Sequence, residues 1–125
     1  MDDKKLSKIL IYLIFFILVV NFLANTFYWY SSIWWFDIVM HFLGGFWIGL
    51  SFFYLFPSRS NSPNSVFKIL LFVFIVGISW EIFEILFNNI LAQNPFDILD
   101  TLSDIFFDLS GGLCAILYRW KKLQK

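Results

Sequence analysis

Residues 37–45 read DIVMHFLGG and residues 104–112 read DIFFDLSGG. Each carries an acid, a second titratable residue four positions on (His41 or Asp108), and a glycine pair. Between them Glu81 and Glu84 stand three residues apart in the stretch SWEIFE. On a helix, spacings of three, four and seven place side chains on one stripe. Three stripes follow: Asp37, His41 and Gly44; Gly77, Glu81, Glu84 and Asn88; and Asp97, Asp100, Asp104, Asp108 and Gly111. One imidazole with carboxylates from several helices is a mixed nitrogen and oxygen donor set of the kind that suits zinc, manganese or iron. Metal sites inside helix bundles are built in this way, from inward residues on facing helices. The expected ligands of a divalent metal are His41, Glu84, Asp104 and Asp108, with Asp37 and Glu81 as further ligands or as supports for them. Six such groups exceed the need of one ion, which leaves room for two.

The surroundings sharpen the question. The chain has 125 residues, of which 60% are hydrophobic, 23% aromatic and only 14% charged, and its mean hydropathy is +0.77. A soluble domain of this length cannot hide so much apolar surface. Charge at mid-depth in a bilayer costs at least ~2.5–3.5 kcal/mol per residue. Acids in such surroundings hold protons, line a wet cavity or bind a cation. With a bound metal, the chemistry on offer is hydrolysis of a lipid or envelope precursor, with Glu81 or Glu84 as general base toward a metal-activated water. Two alternatives use the same residues: a proton- or cation-coupled carrier in which the acids form a relay, and a non-enzymatic membrane subunit or scaffold in which they form a hydrogen-bonded packing knot.

The elements that position these residues can be read from the apolar runs, since a membrane-crossing helix needs ~20 such residues. No charge stands between Lys8 and Asp37, and the first helix is expected over about 9–27. Its apolar part is longer than that of a signal peptide and no small-x-small site follows, so it reads as a retained span. The aromatics from Tyr28 to Trp35 form an interfacial turn. Further helices are expected over about 36–56, 66–91 and 101–120, joined by the polar PSRSNSPNS and by AQNPFDILD. Asp100 or Thr101 would cap the last. The fold class is therefore all-α: a single transmembrane domain, an integral membrane four-helix bundle embedded in the lipid bilayer.

Orientation follows from the basic residues. Lys4, Lys5 and Lys8 precede the first span, Arg59 and Lys68 flank the loop between the second and third, and Arg119, Lys121, Lys122 and Lys125 close the chain. With four spans all nine lie on one side, and the positive-inside rule puts both termini in the cytoplasm of a bacterial-type inner membrane. The acids from Asp37 onward, and His41, then fall in the outer half. At ~1.5 Å rise per residue, His41, Glu84 and Asp104 each lie about 10 Å below the outer boundary. Asn21 and Asn25 place polar groups at that end of the first helix too. The inner halves are almost wholly Phe, Ile, Leu and Val, so the polar stripes converge on one outward-facing cavity.

An offset of 67 residues maps Asp37 onto Asp104, His41 onto Asp108 and Gly44-Gly45 onto Gly111-Gly112. This is a partial parallel repeat of two helical hairpins, whose glycines allow the second and fourth helices to approach closely. Gly45 and Gly49 form a GxxxG, which serves internal packing or a homo-oligomer contact. Cys114, Trp47 and Trp80 read as packing or lipid-facing residues. The net charge of zero excludes a global field for nucleic acid.

The ordered pattern Asp37-x3-His41-Phe42-x-Gly44-Gly45, Trp80-Glu81-x2-Glu84 and Asp100-x3-Asp104-x3-Asp108-x2-Gly111 resembles the YjdF-like inner-membrane proteins, related to the broader VanZ-like group. The likeness covers roughly residues 34–118. It implies a multi-pass membrane protein whose polar residues are its signature, and it implies no particular reaction.

Overall fold

A computed structural model of the chain describes residues 3–56, 64–87 and 98–123. Five helices make up these segments: α1 (Asp3–Thr26), α2 (Trp29–Ser32), α3 (Phe36–Leu55), α4 (Ser65–Phe87) and α5 (Ile98–Leu123). Four of them contain spans of 20–23 residues that are long and apolar enough to cross a membrane. At ~1.5 Å per residue each reaches about 30 Å, the thickness of a hydrocarbon core.

The ends differ from the sequence expectation in instructive ways. α1 begins at Asp3 and so takes in Lys4, Lys5 and Lys8, which are good helix formers once a long apolar run has nucleated the turn. α5 begins at Ile98, so Asp100 and Thr101 lie inside its first turn rather than at its cap. There an acid still favours the helix, because it faces the positive end of the macrodipole. The expected end of the third span, 88–91, and the loop residues 57–63 and 92–97 fall outside the described residues.

The aromatic turn holds a single helical turn, α2. Tyr28 breaks α1 with a left-handed backbone (φ 60°), a conformation that costs a non-glycine residue roughly 1 kcal/mol. Ser32 Oγ donates to the Tyr28 carbonyl at 2.8 Å, and Trp29 and Tyr30 both pack edge-on against Phe36. The chain thus reverses within a few residues and enters α3 anchored by rings.

α3 and α5 form the central pair and make the most extensive helix interface. They run parallel: residues near the start of one meet residues near the start of the other. α1 lies antiparallel against α3, and α4 antiparallel against α5 while also touching α3, so the arrangement repeats a hairpin as the sequence offset implies. A Cβ on Gly45 would strike the Asp108 carbonyl, one on Gly111 the Phe42 carbonyl, and one on Gly49 would lie 2.8 Å from Ala115 Cβ. The GxxxG is therefore consumed in packing within the chain.

An apolar core fills the end of the molecule that holds both chain termini. Leu6, Leu10, Leu50, Phe53, Ile69, Val73, Ala115 and Ile116 are buried there together, and Trp47 Nε1 donates to the Leu10 carbonyl at 2.9 Å, tying α1 to α3. A smaller cluster of Ala24, Phe36 and Met40 sits at the opposite end. Large apolar side chains such as Phe15, Phe22, Phe67 and Phe106 point outward, as a lipid-facing surface requires.

A histidine among carboxylates at the end opposite the termini

Asp37 and His41 occupy the first two turns of α3, and Asp104 and Asp108 lie about two and three turns into α5. The close α3–α5 crossing at Gly45 and Gly111, just below, presses these four side chains together. The His41 ring, 10% exposed, lies between the three aspartates. Nδ1 is 3.0 Å from Asp108 Oδ1, while Nε2 is 3.4 Å from Asp104 Oδ2 and 3.5 Å from Asp37 Oδ1. An ionised carboxylate only accepts hydrogen bonds, so Nδ1 carries the proton it gives to Asp108. In a neutral imidazole the lone pair on Nε2 then points at two carboxylate oxygens. Three electron-rich atoms facing one another at this distance need a proton or a cation among them.

α4 brings the remaining acids. Glu81 and Glu84 stand three residues apart near its end, and one oxygen from each, with one from Asp104, lie within 4.8 Å of one another. Asp37, His41 and Asp104 make a second group that meets the same criterion, so Asp104 belongs to both. Asp104 is also within hydrogen-bonding reach of the carboxyl groups of Asp37 and Glu81. Glu84 Oε1 accepts a bond of 2.9 Å from Trp80 Nε1. Glu81 is only 3% exposed, and its Oε1 is buried with no hydrogen-bond partner among the described residues. Gly77, one turn before Glu81, is needed by the site itself, because a Cβ there would lie 2.8 Å from Asp108 Oδ2.

The structure thus gathers all six of the sequence-derived residues, but with a division of labour that spacing alone did not supply. Asp108 lies on the Nδ1 side of the ring, outside both cation-sized groups. Asp37 belongs to the group on the Nε2 side. The helix-1 amides do not join: Asn21 Oδ1 is occupied by the Tyr30 hydroxyl at 2.6 Å, and Asn25 is exposed. Asn88 and Asp97 lie outside the described residues. Cys114 is a half-buried free thiol. By position in their helices, the described basic residues Lys4, Lys5, Lys8, Lys68, Arg119, Lys121 and Lys122 all belong to the other end of the molecule.

One residue that the spacing argument passed over is Tyr30. It packs edge-on against Phe36 with centroids 5.0 Å apart and spans from α2 to Asn21 of α1. Its phenol is pushed up from 10.0 to about 12, first by burial and then by the negative charges of Asp37 and Glu84. It therefore sits near the acidic cluster and ties α2 to α1. The sequence signal that pointed to it was Asn21, an amide in an apolar run that needs a partner.

Compared with known proteins, the chain matches over residues 2–125 the family described as "Predicted membrane protein (DUF2238)". A protein of Thermotoga maritima described as "Uncharacterized protein" is 32% identical over 112 residues, covering 82% of this chain. The chain spans about half, 54%, of the length of that relative. No solved structure matches.

Proposed function

We propose that this chain, which belongs to the DUF2238 family of predicted membrane proteins, binds a divalent cation at its His41-centred cluster and uses it to hydrolyse a lipid or envelope-precursor substrate. The observation that carries this reading is the convergence of His41 Nε2, Asp104 Oδ2 and Asp37 Oδ1, three donors with no lysine or arginine beside them among the described residues. Their mixed donor set suits Zn²⁺, Mn²⁺ or Fe²⁺. Asp108 takes the Nδ1 proton and so fixes the tautomer that leaves Nε2 free, the usual part of a carboxylate behind a ligating histidine.

An ion held there would polarise a substrate oxygen or lower the pKa of a water. Glu84 and Glu81, which adjoin the cluster through Asp104, would serve as general base in such chemistry. Because no basic residue among the described ones stands at this end, a phosphate-bearing substrate would have to be gripped by the ion itself. The distribution of all nine Lys and Arg supports cytoplasmic termini and hence a cluster opening to the outer face of a bacterial-type cell membrane. The resemblance to YjdF-like and VanZ-like proteins supports a place in the cell envelope.

The same geometry favours one other reading, in which His41 is an imidazolium and the three aspartates relay protons. Against it stands the apolar layer of Leu50, Phe53, Val73, Ala115 and Ile116 between the cluster and the start of α1, a layer with no titratable side chain of its own. Elemental analysis of detergent-purified protein separates the two. Near-stoichiometric metal, lost in His41→Ala, is expected. A well-folded protein that holds no metal after loading with Zn²⁺, Mn²⁺ or Fe²⁺ would overturn the cation reading in favour of the proton.

A further inference from the structure

We propose that Glu81, Glu84 and Asp104 form a second cation position, adjoining the His41-centred one through Asp104 and selective for a hard, oxygen-seeking divalent ion such as Mg²⁺, Mn²⁺ or Ca²⁺. The inference rests on the His41 cluster being a cation site, and it adds what that site alone leaves unexplained.

Three observations lead to it. First, the oxygens of Glu81, Glu84 and Asp104 converge within 4.8 Å with no histidine among them. An all-oxygen set fits hard cations and gives no advantage to zinc, which favours nitrogen and sulfur. Second, Glu81 is buried to 3% exposure and its Oε1 meets neither solvent nor a hydrogen-bond partner among the described residues. A buried carboxylate oxygen without a partner is expensive, and a cation held among these three carboxylates would give it one. Third, the charges do not balance with one ion. Asp37, Glu81, Glu84, Asp104 and Asp108 are five carboxylates. One divalent ion leaves three negative charges in a membrane interior, and two leave one. Since each uncompensated charge costs at least ~2.5–3.5 kcal/mol there, a second ion offsets two charges that protons would otherwise have to remove.

Asp104 is suited to the shared role. Its Oδ2 faces His41 Nε2, and the carboxylate belongs to both groups, as a bridging ligand between two ions must. Trp80 holds Glu84 Oε1 by its indole N–H, which fixes the carboxylate without supplying charge. When this position is filled Glu81 and Glu84 are ligands; when it is empty they are free to take a proton.

The test uses the full chain in detergent or nanodiscs, stripped of metal and then equilibrated with Zn²⁺ and Mn²⁺ together. Bound metal is counted by elemental analysis, and manganese is followed by electron paramagnetic resonance. Wild type is expected to hold two ions, one of each kind. Glu81→Gln should keep the zinc and weaken manganese at least about tenfold, and His41→Ala should keep the manganese and lose the zinc. Glu84→Gln serves as the second variant should Glu81→Gln prove unstable by helical circular dichroism and gel filtration. A wild type that never exceeds one ion, lost in His41→Ala but kept in both glutamate variants, overturns the second position and leaves the first intact. A protein that binds neither metal overturns both.

Discussion

Two adjacent glycines make opposite predictions. Gly44 has open space where its Cβ would be, with nothing within 4 Å, whereas a Cβ on Gly45 would lie 2.7 Å and 2.8 Å from the Asp108 carbonyl carbon and Cα and closer still to the carbonyl oxygen. Ordinary van der Waals contact begins near 3.4 Å, so α3 and α5 must part by well over half an ångström to admit the methyl. The obstacle is backbone and cannot rotate aside, which puts the cost at the upper end of the ~1–3 kcal/mol typical of overpacked cores. The same separation acts on the site, because His41 lies one turn along α3 from Gly45 and its 3.0 Å bond is to Asp108 itself. Opened by that amount, it passes the ~3.2 Å limit of a good hydrogen bond. Gly45→Ala is therefore expected to destabilise the protein by about 3 kcal/mol and to weaken metal binding at least about tenfold, the lower end of what losing a group behind a metal ligand costs. Gly44→Ala should be neutral or gain up to about 1 kcal/mol, since alanine is the better helix former. Reversible unfolding in mixed micelles, followed by circular dichroism, measures the first effect, and metal titration the second. Equal stability in the two variants, or a Gly44→Ala protein weaker than Gly45→Ala, would refute the close α3–α5 crossing.

Other predictions concern the site. Gly77→Ala drives a methyl to 2.8 Å from Asp108 Oδ2, the end of a side chain that can yield, so melting should change by no more than about 1 kcal/mol while metal affinity falls. Asp108→Ala should lose roughly 10–100-fold in metal affinity, and Asp108→Asn, which keeps an oxygen for Nδ1–H, distinctly less; equal losses in isothermal titration would make Asp108 a direct ligand instead. Tyr30 should titrate at about 12 rather than 10.0, read by absorbance near 295 nm. Because folding raises that value, the folded state holds the phenol proton more tightly. Its contribution to stability is present below pH 10 and is lost as pH rises toward 12, a loss that Tyr30→Phe should abolish. A fluorescent protein fused to the C-terminus should glow in intact cells if the positive-inside reading is right; a dark, folded fusion would place the cluster on the cytoplasmic side.

The span count and the gathering of the acids toward one end of the helices were legible in the sequence because they depend on coarse quantities, the length of apolar runs and the position of charges along them. Helical spacing also put His41 with Asp37, and Asp104 with Asp108, on shared faces. Spacing describes one helix at a time, however. It cannot say which ring nitrogen meets which carboxylate, and so it could not separate Asp108, at Nδ1, from Asp37 and Asp104, at Nε2. Tyr30 escaped for a related reason: α2 is a single turn, and its direction is set by the left-handed Tyr28 rather than by any periodic pattern.

The duplicated motif gains its meaning only from the crossing of α3 and α5. His41 and Asp108, equivalent under the 67-residue offset, hydrogen-bond each other, and the equally equivalent Asp37 and Asp104 lie within reach of each other as well. Equivalent residues can meet in this way only where the axis relating the two copies passes between them, so the repeat faces itself and doubles its own donors around one point. The glycine contacts exchange under a slightly different shift: Gly45 on Asp108 becomes Gly111 on Phe42 when each residue moves by 66. The symmetry is thus approximate at the level of packing and broken outright in chemistry, with an imidazole on one copy where the other has a carboxylate. That breakage is what makes the site workable. Two aspartates in place of His41 and Asp108 would add a buried charge at the axis, whereas a histidine gives Nδ1–H to one acid and turns Nε2 toward the others. Exchanging the two, as His41→Asp with Asp108→His, should therefore preserve the fold and recover much of the metal binding that His41→Asp alone destroys. The swapped ring would point its free nitrogen from α5 instead of α3, still beside Asp104. A double variant no better than the single one in metal titration would show that the two copies are not interchangeable and that the axis is only apparent.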